Sequence, residues 1–367
     1  MSSLPFTVLV LLEPLGLLYG SSGRVLSPGS LTGRAAEHFP PDAPAVSGLL
    51  ASHLPREELR HLFTAGPFWL HRDGELMLPA PLLLVQEPIV QEPIADPGGS
   101  VATSLDTPSR RSRRLLHWQD ATDTTPSGWV DTAAEDHVHK SPSGGWIRLS
   151  DWPYPHRALP DQGIPIHDSP WQAVPHLHPK LSDHERVSAK EDALFLEYGI
   201  ALSPGVRLAY LSSHAMAEGL VRFGGEGHLV QLRCQPLPPL LLDLLQRPLS
   251  PDPFALITPG VWGGPKLSIR EPIDTTVPRG RFPWRRNGHP PGLLTDRPRP
   301  WRYRLGAGAD GQRRLSRGRW ALPAGTCYRV GGEPLPPWSD WEERWFPKEG
   351  LSLRHFGTAL SLPLPPP

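Results

Sequence analysis

Proline is the feature that most limits what this chain can become: it occupies 48 of 367 positions, and glycine takes another 35. Each proline lacks a backbone N–H and holds φ at about −65°, so it breaks helix interiors and leaves gaps in sheet ladders. Such a density excludes a helical bundle and predicts short strands, many turns and long surface insertions. The hydrophobic share of 38% still supports a buried core. The length suits two domains at roughly 150 residues each. The expectation is an α+β fold.

Basic and acidic residues number 37 each, which argues against a chain coated in nucleic acid along its whole length. The charges are unevenly placed. From Pro265 to Trp320 there are 14 Lys or Arg and four acids, so this stretch carries +10 and the remainder −10. Arginine supplies 32 of the 37 bases, and its planar fork suits bidentate phosphate contacts and stacking on bases. The two cysteines, Cys234 and Cys327, are too few for a disulfide framework or a four-cysteine zinc site, which points to a reducing, cytoplasmic setting. The apolar run from Pro5 to Leu12 has no preceding Lys or Arg and ends at Glu13. It reads as a buried first strand, neither a secretory signal nor a membrane span.

A glycine- and serine-rich loop (21–33) follows, then Phe39-Pro40-Pro41 and an apolar stripe from Ala45 to Phe63 that spacing marks as helix, kinked or split at Pro55. Pro67–Leu70 and Leu76–Val85 predict a hairpin turning at Asp73-Gly74. From about 86 to 180 the pattern dissolves into a proline-rich insertion, anchored by Trp118, Trp129, Trp146, Trp152 and Trp171 packed in a local mini-core. Strands are expected at Ala193–Leu202, Arg207–Ser212, Leu229–Leu232 and Phe254–Ile257, around Trp320 to Val330, and at Thr358–Leu362. Helices are expected at Leu240–Leu245 and near Trp338–Trp345. This order suits a split βαβ unit at each end: two ferredoxin-like domains, 1–222 with the insertion, and 223–367.

Several blocks, in this order, resemble the RAMP superfamily of CRISPR-associated proteins, in particular the third subunit of the type III-B Cmr module. They are Leu12-Glu13-Pro14-Leu15; Gly23-Arg24 with Ser27-Pro28-Gly29; Phe39-Pro40-Pro41 leading into Ala45–Leu50; Arg186–Phe195; Phe223-Gly224-Gly225-Glu226-Gly227; and Trp320–Tyr328. The resemblance implies RRM-like, RAMP-type domains and a non-catalytic subunit. Such a subunit binds the 5′ repeat-derived tag of CRISPR RNA and docks the large polymerase-like subunit beside a backbone RAMP subunit. It also implies RNA contacts from the first loop, Gly23, Arg24 and Arg34, and from a closing loop that reaches Gly357.

Two runs interleave arginine with aromatics: Arg279-Gly280-Arg281-Phe282-Pro283-Trp284-Arg285-Arg286 and Arg299-Pro300-Trp301-Arg302-Tyr303-Arg304. Basic side chains following phosphates and aromatics stacking on bases are what single-stranded RNA requires. The first run supplies Arg279, Arg281, Trp284, Arg285 and Arg286 as candidate RNA contacts. A solvated basic loop paired with acidic surface elsewhere fits the same composition. Gly224, Gly225, Glu226 and Gly227 let backbone N–H groups approach a phosphate, or simply make a tight hairpin turn. Gly306–Gly311 lacks a following Gly-Lys-Ser/Thr and reads as a link between two strands.

Sixteen histidines raise metal and acid–base chemistry. His137, His139, His176, His178 and His184 show no four-ligand spacing, so no metal or other cofactor is expected. The alternative from another class is a metal-independent RAMP endoribonuclease using His53 or His61. A purely protein–protein scaffold is the third reading.

Overall fold

The computed structural model describes residues 4–19, 39–89, 108–131, 144–152, 162–179, 194–225, 227–262, 269–274, 276–277, 280–307 and 313–364. Strands predominate. At the centre lies β1 (Val8–Pro14), in which Leu9 to Leu12 are at most 2% exposed because both faces are covered. Val10 and Leu12 join a cluster with Val46, Leu49 and Leu50 of α1 (Ala43–Ala51), while Leu9 and Leu11 face the core shared with the C-terminal half. Burial on both faces explains why this strand reads as a continuous apolar run, and each buried leucine contributes about 1.5–3 kcal/mol.

Helix α1 tolerates Pro44 because the first turn needs no donor there. It stops at Ser52, and a separate 3-10 turn at Leu59–His61 follows Pro55, so the expected helical stretch is split. Then come β2 (Thr64–Leu70) and β3 (Leu76–Pro79), joined through Asp73-Gly74. β4 (Trp146–Arg148), β5 (Arg207–Ser212), β6 (Gly219–Phe223) and β7 (His228–Pro236) complete a seven-stranded sheet in the order β6-β7-β1-β5-β2-β3-β4. All its neighbours are antiparallel. β1 and β2 flank β5, the split βαβ arrangement, and β7-β1-β5-β2 has the 4-1-3-2 order of a ferredoxin-like sheet. No second helix joins β5 to β7; residues 213–218 lead directly into β6. The sheet runs on to Pro236, so the division expected at 222/223 falls inside the β6/β7 hairpin.

The C-terminal half opens with α2 (Pro239–Gln246), β8 (Phe254–Leu256) and β9 (Gly292–Leu294). An arginine-rich ribbon follows: β10 (Arg299–Trp301), β11 (Arg304–Ala307), β12 (Arg313–Leu315) and β13 (Arg319–Ala321), with β10 paired to β13 and β11 to β12. With β14 (Cys327–Arg329) and β15 (Ser361–Pro363), the second sheet has the order β9-β14-β8-β15, again 4-1-3-2 from β15 to β9. The helix expected near Trp338–Trp345 is two 3-10 turns, Trp338–Asp340 and Glu343–Trp345, with Trp341 extended between them. Pro336, Pro337 and Pro347 bracket this stretch and leave no room for a longer helix. The likeness to two ferredoxin-like domains therefore extends as far as strand order.

Within 86–180 regular structure is richer than expected. Leu84–Pro88, Arg110–Leu115 and Ile164–Ile166 form a small sheet, and Trp171–Pro179 pairs with Leu194–Leu202. The strand expected over Leu76–Val85 thus ends at Pro79, and the chain passes into this small three-stranded sheet. Trp118 and Trp129 form a local edge-to-face pair, but Trp146 packs on Trp69, and the Trp152 indole N–H donates to the Pro363 carbonyl at 2.9 Å. The insertion is tied to the main body. Among the described residues no helix is long and apolar enough to cross a membrane.

Candidate nucleic-acid interface

The β6/β7 turn is tight: Gly224 and Gly227 have φ of 76° and 68°, and the Gly227 N–H donates to the Gly224 carbonyl at 3.2 Å. Positive φ at both explains why glycine stands there. Glu226 lies outside the described residues. The ribbon brings a cation to this turn, for a Cβ added at Gly225 would lie 3.4 Å from Arg304 Nη1. From the other side, Arg222 reaches the Gly227 carbonyl at 3.4 Å. Both arginines are exposed and form no ion pair among the described residues. Next to the turn, Tyr19 stacks on His228 at 5.4 Å, and its hydroxyl meets His176 Nδ1 at 2.6 Å. The turn thus sits among cations and flat rings on the surface.

Strand alternation sets the ribbon's two faces. Trp301, Tyr303 and Arg319 point inward; Trp301 packs with Val261, Ala321 and Leu353, and Tyr303 stacks edge-on against Phe356. Burial, then the nearby Glu349 charge, pushes the Tyr303 phenol up to about 12. Pro300, Arg302 and Arg304 point outward and are exposed. The inner face is fastened at both ends, by Arg299 to Asp42 at 2.6 Å and by Arg317 and Arg319 to Glu349 at 3.0 and 3.1 Å. Burial works against the Glu349 charge, and hydrogen bonds from Arg317 and Arg319 outweigh it, holding this carboxyl below the usual carboxylate range.

The other candidates from the sequence separate. Gly23, Arg24, Arg34 and Arg279 lie outside the described residues. Trp284 is 0% exposed, wedged among Phe254, Trp262, Tyr328 and Trp341, so it is a core anchor and presents no ring to RNA. Arg285 forks onto Glu271 at 2.8 and 2.9 Å and lies 3.9 Å over the Phe282 ring. Arg281 and Arg286 are exposed, but no hydrogen bond or ion pair among the described residues links them to the glycine turn. Gly357 is buried in the left-handed region with φ 57°, pressed against Ala65 and Thr64, which removes it from any RNA contact. Arg222, Arg302, Arg304, Tyr19 and His228 were absent from the sequence-derived site. Arg302 and Arg304 had a signal in their alternate spacing, and Arg222 in standing one residue before Phe223-Gly224-Gly225.

Among histidines, His137, His139 and His184 lie outside the described residues, and no group of three or more potential metal ligands occurs among those described. His53 Nδ1 contacts Ser52 Oγ and the Leu49 carbonyl, and His61 Nε2 accepts from Arg60 Nε at 2.9 Å.

Fold and surface together define a strand-rich α+β protein with two 4-1-3-2 sheets and a cationic track that meets a glycine turn. The family described as CRISPR-associated protein (Cas_Cmr3) matches residues 29–270, about two thirds of the chain, and the chain belongs to that family. That membership makes it a CRISPR-associated protein. Among solved structures it is similar to a chain of the type III-B Cmr-beta complex bound to cognate target RNA, with TM-score 0.45 and 12% identity over 88% of this chain and 86% of that one. A chain of the same complex with target RNA and AMPPnP gives TM-score 0.43 and 11% identity over the same shares. No curated protein matches.

Proposed function

We propose that this chain is a non-catalytic subunit that holds the 5′ repeat-derived tag of CRISPR RNA and docks the large polymerase-like subunit within the effector complex, next to a backbone RAMP subunit. The observation that carries the RNA contact is the meeting of Arg304 and Arg222, two exposed cations, at the glycine turn whose Gly224 and Gly225 are themselves exposed. Family membership supports the setting.

Affinity purification of the tagged protein from its host, with mass spectrometry and small-RNA sequencing of one eluate, tests the reading. The expected result is a large polymerase-like subunit, other RAMP subunits and RNAs sharing one 5′ end. Replacing Arg222 and Arg304 with alanine should lower the yield of those RNAs and flatten the salt dependence of RNA binding, by about 0.7 in log–log slope for each phosphate no longer neutralised. An eluate with neither RNA nor such subunits overturns the reading.

A further inference from the structure

Trp320 is 43% exposed, whereas Trp301 on the paired strand is 2% exposed. The ribbon's register causes this difference. Trp301 opposite Arg319 and Arg299 opposite Ala321 turn to the packed face, which places Pro300 opposite Trp320 on the open one. Next along that face stands the exposed Arg302, its Nε donating to the Ser316 carbonyl at 2.8 Å. On the Trp320 strand the matching position is Gly318, where a Cβ would meet nothing within 4 Å. One pleat further is Arg304, at the glycine turn. The open face therefore carries an indole and two guanidinium groups.

We infer that Trp320 is the stacking platform for an unpaired base of single-stranded RNA whose phosphates run along Arg302 and Arg304. The inference rests on the RNA-binding reading above and adds a base contact to it. Protein-binding hot spots also favour tryptophan and arginine, but they sit in well-packed, desolvated pockets. Around Trp320 the open face offers Pro300, the exposed Arg302 and Gly318, where a Cβ would meet nothing within 4 Å. That surface suits a planar base on an anionic backbone.

The test is fluorescence anisotropy of the full-length protein with fluorescein-labelled oligoadenylate and oligouridylate. Trp320→Ala should weaken oligoadenylate binding about ten-fold or more, the size of one base–aromatic stack. The effect should be smaller for oligouridylate, whose bases stack less strongly, and Trp320→Phe should retain most of the affinity. Because Trp320 is 43% exposed and outside the buried core, Trp320→Ala should fold, which circular dichroism checks before binding is compared. As an independent measurement on the unaltered protein, photocrosslinking of a thiouridine-substituted oligonucleotide should label the peptide containing Trp320. Equal affinity in the alanine variant, or crosslinks confined to other peptides, overturns the stacking role and leaves RNA binding standing. A parent protein that binds neither oligonucleotide overturns the RNA reading itself.

Discussion

A Cβ added at Gly357 would lie 2.3 Å from the Ala65 Cβ and 2.8 Å from the Thr64 carbonyl oxygen, at a φ of 57°. The Gly357 carbonyl also accepts the Thr258 hydroxyl at 2.6 Å. Gly357→Ala should therefore cost about 2–4 kcal/mol, the sum of left-handed strain and overpacking. Urea denaturation measures this; an unchanged midpoint would mean that the β2 contact yields easily. The family resemblance offered Gly357 as an RNA contact; its structural reason was not legible in the sequence, since Ala65 lies nearly three hundred residues away along the chain. Trp284 teaches the same lesson. Its arginine neighbours suggested a surface ring, and only the distant Phe254, Tyr328 and Trp341 reveal that the side chain turns inward.

At the scale of elements, the arginine ribbon shows how a run with a large charge excess stays folded. Arg299 and the buried Arg319 pair with Asp42 and Glu349, acids from outside the run, whereas Arg302 and Arg304 are exposed. The sequence indicated two strands joined through Gly306–Gly311, and β11 and β12 do flank that stretch. Which arginines face outward depended on register, and register was not legible. The Glu349 clasp has a pH signature. Its carboxyl is held below the usual carboxylate range in the folded chain, so its stabilisation is fully present above the unfolded-state value and is lost as pH falls through the folded one. The melting temperature should accordingly drop on acidification in the parent, and part of that drop should be missing in Glu349→Gln. At neutral pH the same variant should lose on the order of 3 kcal/mol, because the buried Arg319 would lose its Glu349 carboxylate partner. Thermal melts of the two proteins across the acid range check both; parallel curves would show that the clasp adds nothing.

For the whole molecule, the repeated 4-1-3-2 order suggests two bodies, but the packing joins them. Phe6 stacks on Trp338 at 5.8 Å, the Trp152 indole reaches Pro363, and a Cβ at Gly325 would lie 2.6 Å from the Ala80 carbonyl. A single hydrophobic cluster holds Leu9, Leu11 and Phe68 from the first sheet with Phe254, Tyr328 and Leu362 from the second. Composition and strand order made the two-sheet plan legible. The common core was not, because an apolar strand buried on both faces looks the same whichever body covers it. Halves that share a core lose apolar burial together when either opens, and this couples their unfolding. Calorimetry of the full chain should therefore give one transition, with calorimetric and van't Hoff enthalpies in agreement. A truncated chain ending after α2 should melt at a lower temperature and expose apolar surface to a hydrophobic dye, since Leu9, Leu11 and Phe68 would face water. Two separable transitions, or a truncated chain as stable as the whole, would mean that each sheet is a domain in its own right.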